Sequence, residues 1–151
     1  MADYDKVGLL VVRDGRILLC RKKHTTSLLI LPGGCREAGE SSAGCLLREI
    51  HEELGVQAQI DFIIGTLHFH RGEATPENEM VGVQFCCSIE DPGAIRTSWE
   101  HVAHCWVTAE EAGVLLPADH WLLQVIQRAE AMRALMPREL LAYYRTAGWM
   151  A

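Results

Sequence analysis

The pattern of apolar and polar residues predicts a chain that begins with short strands. Val7–Val12 is an apolar run, and the turn signal Asp14-Gly15 separates it from a second apolar run, Ile17–Cys20. This order predicts a β-hairpin. Leu28–Leu31 is a further strand candidate, and it ends at the turn sequence Pro32-Gly33-Gly34.

The segment from Ser41 to Leu54 changes to helical spacing. Its apolar positions recur every three to four residues and share one helix face: Ala43, Leu47, Ile50 and Leu54. Gly55 follows directly, as a glycine at a helix C-terminus does. The spacing therefore predicts an amphipathic helix that ends at Gly55.

The remainder of the chain contains more strands, a second long helix and two shorter helical segments. Strands are predicted for four segments: Val56–Ile64, Thr66–His70, Met80–Ile89 and His101–Val107. Arg71–Asn78 and Asp91–Arg96 are expected to be loops. Helical segments are predicted at three places: Ala109–Gly113, His120–Met136 and Arg138–Ala147. With no repeat or linker in 151 residues, the pattern indicates a single α+β domain over residues 1–151.

Composition and charge narrow the class of protein. Apolar residues make up 49% of the chain, which disfavours disorder. No apolar run approaches the roughly 20 residues that a membrane span needs, and the start of the chain lacks a secretory pattern. The cytoplasm is therefore the expected location. The formal charge of −6, with no basic face in sight, disfavours a polymeric nucleic-acid partner.

The six cysteines do not form a metal-binding pattern. None of them stands in a C-x-x-C pair, so a zinc cage is not expected. A chain of this size does not need disulfides for stability, so free thiols are expected. Cys20 and Cys86 lie inside apolar runs and are predicted to be core residues.

Three acidic residues on the predicted helix carry the chemistry. Glu49, Glu52 and Glu53 stand at i, i+3 and i+4, so their carboxylates project from one side of the helix, away from its apolar stripe. Like charges at this spacing repel each other. A hard cation such as Mg²⁺ removes this repulsion, and it prefers oxygen ligands and substrate phosphates.

The residues before and within the helix support the same chemistry. The sequence Pro32-Gly33-Gly34 lets the backbone approach a ligand closely, and its carbonyl groups are candidate metal ligands. Glu40 lies at the helix entrance, where the positive end of the helix dipole favours a carboxylate. Arg48 lies one turn from Glu52, and it is predicted to hold Glu52 through a two-pronged hydrogen bond.

The segment from Gly34 to Val56 resembles a complete Nudix box. Every fixed position of the pattern G-x5-E-x7-R-E-U-x-E-E-x-G-U is matched, where U is a bulky aliphatic residue: Gly34, Glu40, Arg48, Glu49, Ile50, Glu52, Glu53, Gly55 and Val56. A chance match to the seven fixed identities is on the order of 10⁻⁹ per starting position. The order of strands and helices around the box is also similar to that of the family.

The resemblance implies a Nudix α/β/α sandwich with a mixed central sheet, and a hydrolase that cleaves a diphosphate linkage. It implies that Glu49 and Glu53 are the principal metal ligands and that Gly34 contributes its carbonyl. Glu52 is then either a further ligand or the base that activates water. Arg48 and Glu40 support the site, and the ion is Mg²⁺, with Mn²⁺ as a substitute.

Five residues outside the box are weaker candidates. Glu100 is a candidate metal ligand, because similar enzymes have an acidic residue near that point, although a surface glutamate is the alternative. His68 and His70 share one face of a strand end and could contact the substrate, although an ordinary surface pair is the alternative. Arg21 and Lys23 follow the second strand and are candidate phosphate contacts, or part of a solvated turn.

The substrate is less well defined than the family. The chain lacks marks that are typical of ADP-ribose pyrophosphatases, dinucleoside polyphosphate hydrolases and coenzyme A pyrophosphatases of the family. These absences favour a MutT-like enzyme that releases pyrophosphate from a nucleoside triphosphate. An ADP-ribose or nucleotide-sugar pyrophosphatase stays open. A catalytically idle ligand-binding module of this fold is the alternative from another class, although such modules usually lose glutamates of the box.

The expected partner is a small nucleotide substrate, without a membrane or a nucleic-acid polymer. A homodimer is compatible with four apolar residues in the second half of the chain: Leu115, Leu116, Trp121 and Trp149.

Overall fold

The computed structural model describes residues 6–22, 29–70, 72–96 and 101–147. In these segments the strands are β1 (Lys6–Arg13), β2 (Arg16–Lys22), β3 (Leu29–Ile30), β4 (Gly33–Cys35), β5 (Ala58–His70), β6 (Glu79–Ile89) and β7 (His101–Val107). The helices are α1 (Ser42–Leu54), α2 (Ala109–Leu115), α3 (Trp121–Leu135) and α4 (Arg138–Ala147). Two short 3₁₀ turns, Pro76–Asn78 and Pro92–Ala94, lie in the loops on either side of β6.

The strands form a mixed sheet, as expected. Its main path runs β3-β2-β1-β6-β5, while β4 pairs with β1 and β7 pairs with β2. The predicted hairpin of β1 and β2 is confirmed, and both turn residues, Asp14 and Gly15, have positive φ angles of 51° and 72°. The β1–β6 pair is parallel and the others are antiparallel. The fold is an α+β sandwich.

Two of the predicted strand boundaries were wrong. The segments on either side of Gly65 form the single strand β5, which keeps its pairing with β6 through register shifts at Ile60/Phe62 and Ile63/Gly65. The predicted turn at Gly33 and Gly34 is instead the start of β4, where both residues pair with β1. The glycines suit this position because Gly33 has φ 151° and lies directly against the backbone of Val7 and Gly8.

Helices cover both faces of the sheet. On one face, α1 contributes to an apolar cluster with side chains of β1, β2, β5 and β6, including the buried Cys20. On the other face, α2 and α3 pack over a second cluster, which includes the buried Cys86. Both cysteines are fully buried as predicted, and none of the six cysteines, all of which the structure describes, takes part in a disulfide. The helix α1 therefore lies on one side of the sheet, and α2 and α3 lie on the other.

The start and end of α1 agree with the prediction, but its apolar stripe is rotated. The side chain of Ser41 accepts a hydrogen bond from the Gly44 amide, and Gly55 ends the helix with φ 66°. Leu46, rather than Leu47, completes the buried stripe, and Leu47 is 46% exposed. The helix is rotated so that Leu46 faces the core. Glu53, two turns further along the same face, is buried by the same rotation.

A buried ion pair fixes α3 on the sheet. Asp61 is fully buried at the first register shift of β5 and accepts a 2.9 Å hydrogen bond from Arg133 Nη2. The Ser88 hydroxyl also donates to Asp61, at 3.2 Å. The carboxylate is therefore satisfied on two sides, as a buried charge must be.

The proposed dimer residues do not form one exposed patch. Leu115 and Trp121 are exposed, whereas Leu116 is 6% exposed and belongs to the core, because it ends α2 against the sheet. Trp149 lies outside the described residues. Among the helices that the structure describes, none is both long enough and apolar enough to span a membrane.

Candidate active site

Arg48 is the centre of the hydrogen-bond network on α1. Its Nε and Nη2 atoms donate to the two carboxylate oxygens of Glu40, at 2.7 and 3.0 Å. Its Nη1 atom donates to Glu49 Oε1 at 3.0 Å and to Glu52 Oε2 at 3.1 Å. Nη2 also donates to the Cys35 carbonyl oxygen at 3.2 Å. One guanidinium group therefore positions three carboxylates of the box and the end of β4.

The two-pronged partner of Arg48 differs from the prediction. Glu40 receives both prongs, and Glu52 receives a single bond from a nitrogen that it shares with Glu49. The reason is that the loop before α1 folds back, and the Glu37 amide also donates to Glu40 Oε2, at 2.9 Å. Glu40 therefore orients Arg48, and Arg48 in turn orients the carboxylates of the helix.

These bonds change the acidity of Glu40. The hydrogen bonds from the Arg48 side chain, together with that from the Glu37 amide, lower the pKa of Glu40 from 4.5 to about 2. A depressed pKa adds stability above the pKa of the unfolded chain, and this stability is lost as the pH falls through the folded value.

We expect this stabilisation to be complete above about pH 4.5 and absent below about pH 2. Thermal unfolding of the wild type and of Glu40→Gln, followed between pH 6 and pH 2, measures it. The difference between the two melting temperatures is expected to be largest at the upper end and to vanish at the lower end. A difference that is constant with pH would show that ionised Glu40 does not carry the effect.

Glu53 is buried and faces the glycines of β4. Its side chain is 5% exposed, and its Oε2 atom accepts a 2.9 Å hydrogen bond from the Gly33 amide. Burial, and then the nearby charge of Glu53, raise the pKa of the Cys20 thiol to about 12, so this thiol stays protonated. Glu53 therefore lies between the start of β4 and the core.

Gly34 lies against the carboxylate of Glu49. A Cβ atom at position 34 would overlap with this carboxylate, so only glycine fits here without displacing Glu49. The side chain of Glu49 is 12% exposed and that of Glu52 is 56% exposed. The three carboxylates thus range from buried to open along one side of α1.

Within the described residues, no three His, Cys, Asp or Glu side chains are already gathered as metal ligands. Arg48 holds Glu49 and Glu52, while the Gly33 amide holds Glu53. The convergence of the three glutamates on a metal ion stays a prediction, as does the role of the Gly34 carbonyl.

Among the described residues, no hydrogen bond or ion pair links the candidates outside the box to these carboxylates. His68 Nδ1 lies 2.9 Å from Glu79 Oε1, and both side chains are exposed. His70 and Arg21 are also exposed. Lys23 and Glu100 lie outside the described residues. All five roles stay predictions.

Sequence reasoning missed two backbone groups of the site. The Gly33 amide, at the start of β4, donates to Glu53, and the Cys35 carbonyl, at the end of β4, accepts from Arg48. A pattern of residue types indicates which side chains are present, but it does not show which backbone groups form hydrogen bonds. The glycine pair Gly33-Gly34 was the signal that could have indicated them, because glycines let the backbone approach other groups closely.

One surface cavity lies apart from the carboxylates. It has a volume of about 450 Å³ and is found where β5 begins and β6 ends, beyond the end of α1. Its lining includes Gln57, Gln59, Ser88 and Asp91, and no glutamate of the box. The geometry of the box, rather than this cavity, identifies the candidate active site.

Known proteins share this sequence and this fold. A family model described as the NUDIX domain matches residues 4–129. The CTP pyrophosphohydrolase of Escherichia coli (strain K12) is 30% identical over 132 residues, which cover 84% of this chain and 93% of that protein. A MutT-like protein of Streptomyces ambofaciens is 32% identical over 105 residues, or 69% of this chain, and the match spans only 62% of that protein.

A solved structure shares this fold. The solution structure of the E. coli ORF135 protein superposes with a TM-score of 0.65 at 25% identity, over 91% of this chain and 96% of that one. The box from Gly34 to Val56, the sandwich that carries it and the match over residues 4–129 all agree. The chain therefore belongs to the Nudix family and is a Nudix hydrolase.

Proposed function

We propose that this Nudix hydrolase converts a nucleoside triphosphate into a nucleoside monophosphate and pyrophosphate, with Mg²⁺ as its ion. The observation that carries the proposal is the single guanidinium of Arg48, which holds Glu49 and Glu52 beside the Gly33–Glu53 contact. The CTP pyrophosphohydrolase supports the choice of a triphosphate, because that match extends over nearly the full length of both chains.

The residues present fit a hard divalent cation, and Nudix hydrolases generally use divalent metals. Three carboxylates lie within five consecutive residues of α1, and the backbone of Gly34 adjoins one of them. Glu49, Glu52, Glu53 and the Gly34 carbonyl would hold the ion, and Mn²⁺ is a suitable substitute. When bound, the ion supplies charge neutralisation at the phosphates and lowers the pKa of a coordinated water.

The chain's own residues divide the remaining work. Glu52 is the most exposed of the three carboxylates, and this suits a group that takes a proton from water and passes it to solvent. Glu49 and Glu53 are held nearly buried, and this suits fixed ligands. Arg48 and Glu40 keep the carboxylates in position, since a small misplacement is costly in phosphoryl transfer.

A substrate panel tests the proposal. The protein is incubated with Mg²⁺ and, separately, with the common and the oxidised nucleoside triphosphates, ADP-ribose, nucleotide sugars and dinucleoside polyphosphates. We expect pyrophosphate and a monophosphate from triphosphates, with kcat/KM at least about tenfold above that of the other classes. Omission of the divalent ion is expected to abolish turnover, and Mn²⁺ is expected to restore it.

The products identify the alternative. Two monophosphorylated products from ADP-ribose or a nucleotide sugar, with little turnover of triphosphates, would contradict the proposal and assign the pyrophosphatase activity instead. Release of inorganic phosphate without pyrophosphate would also contradict it.

A further inference from the structure

A buried acceptor without a hydrogen-bond partner lies on the face of the sheet opposite α1. Gln84 is 7% exposed, and its Oε1 atom has no hydrogen-bond partner. An unsatisfied buried acceptor is unfavourable and rare in a folded protein. A ligand that donates a hydrogen bond to this oxygen would complete it.

Glycines occupy the positions next to Gln84 in the sheet. Gln84 pairs with Gly8 in β1 and with Gly65 in β5, and Gly82 precedes it by two residues on the same face of β6. A Cβ atom at Gly8 would overlap with the Gln84 carboxamide. At Gly65 it would meet the guanidinium of Arg128, at 3.6 Å. The absence of a side chain at Gly8 lets the carboxamide lie over β1.

The same row of residues leads to the carboxylate site. Gly8 pairs with Gln84 on one side and with Gly33 on the other, and the Gly33 amide binds Glu53. Neighbouring strands are about 4.8 Å apart, so Gln84 lies roughly 10 Å from Gly33. This separation is on the scale of a nucleotide measured from its phosphates to its base.

We propose that the Gln84 carboxamide is a specificity-determining contact for the base of the substrate, where its Oε1 atom accepts a hydrogen bond from an exocyclic amine such as that of cytosine or adenine. The proposal rests on the proposed function, because it assumes that a nucleotide lies with its phosphates at the box. With the carboxamide oriented so that Oε1 lies over Gly8, an amine completes the buried acceptor, whereas a base carbonyl group at that position leaves two acceptors facing each other.

Matched nucleotide pairs test the contact without any turnover. Binding of CMP, UMP, AMP and IMP to the protein is measured by isothermal titration calorimetry. We expect CMP to bind about 10-fold more tightly than UMP, and AMP more tightly than IMP by a similar factor. Equal binding within each pair, or no binding of any of the four by the folded protein, overturns the proposal.

Three variants separate recognition from packing. Gln84→Met is expected to reduce the CMP-to-UMP ratio to about 1, whereas Gln84→Glu, which can only accept, is expected to keep the preference for the amine. The control Gln127→Met changes an exposed glutamine on α3 and is expected to leave the ratio unchanged. A Gln84→Glu variant that loses the preference as completely as Gln84→Met overturns the proposal.

Stability gives an independent readout. Gln84→Met removes the unsatisfied acceptor and replaces it with an apolar side chain of similar length, so the melting temperature is expected to stay the same or rise. A lower melting temperature together with an unchanged CMP-to-UMP ratio would assign Gln84 a packing role and overturn the proposal.

Turnover then distinguishes this inference from the proposed function. A wild type that prefers CMP over UMP but hydrolyses no triphosphate contradicts the proposed reaction and supports the role of Gln84. A wild type that hydrolyses CTP and UTP with equal kcat/KM, and ATP and ITP likewise, supports the reaction and contradicts the role of Gln84.

Discussion

Replacement of Glu53 by glutamine is expected to lower kcat by about 10³-fold or more while the protein stays folded, because a bound ion contributes several kcal/mol to the transition state. Glutamine can still accept the hydrogen bond from the Gly33 amide, so the buried contact survives. It loses only the negative charge, which is what a divalent ion needs. The measurement is kcat at saturating substrate over a Mg²⁺ titration, with thermal unfolding to verify the fold.

A matched exposed glutamate controls for the loss of charge itself. Glu130 lies on the exposed side of α3, and Glu130→Gln changes the net charge by the same amount. This variant is expected to keep kcat within about twofold of the wild type, because surface charges at a distance are screened. If Glu53→Gln shows a near-normal rate and an unchanged dependence on Mg²⁺, Glu53 is not a metal ligand.

Replacement of Arg48 by lysine is expected to lower kcat by about 10²-fold with a smaller change in KM. An ammonium group cannot reproduce the planar fork that binds Glu40 twice while also reaching Glu49 and Glu52. The carboxylates then lose their common anchor, and misplacement by about 1 Å is enough for an effect of this size. Steady-state kinetics give kcat and KM separately.

The control for Arg48→Lys is the same arginine-to-lysine substitution at an exposed position away from the box. Arg16 forms an exposed ion pair with Glu111 at 3.6 Å. Arg16→Lys is expected to have little effect, because exposed pairs contribute little. Equal rates for Arg48→Lys and the wild type would show that Arg48 does not position the carboxylates. Loss of folding in Arg48→Lys, seen by circular dichroism, would assign it a structural role instead.

The sequence predicted the parts of the site that depend on local geometry. The spacing of Glu49, Glu52 and Glu53 sets their common side on a helix, and Gly55 ends that helix where the pattern places it. The strands of the hairpin and the two long helices also follow from apolar periodicity and turn residues.

The remaining features depend on contacts between distant segments. Leu46 and Leu47 both fit an apolar stripe, and only packing against the sheet determines which of them is buried. The bond from the Gly33 amide to Glu53 joins positions 20 residues apart, which no periodicity reveals. Gln84 reads as an ordinary polar residue in a strand, and its unsatisfied acceptor is seen only in the fold.

The parallel pair of β1 and β6 has a consequence for the order of folding. Lys6 pairs with Gly82, so the whole Nudix box and all of β5 are synthesised before the N-terminal hairpin gains this neighbour. Closing such a long loop is slow, because its entropy is lost before the new contacts form. During synthesis on the ribosome, Gly33, Gly8 and Gln84 therefore become neighbours only after β6 has left the exit tunnel. A nascent chain that ends before β6 would contain the glutamates of the box but not the completed sheet beside them.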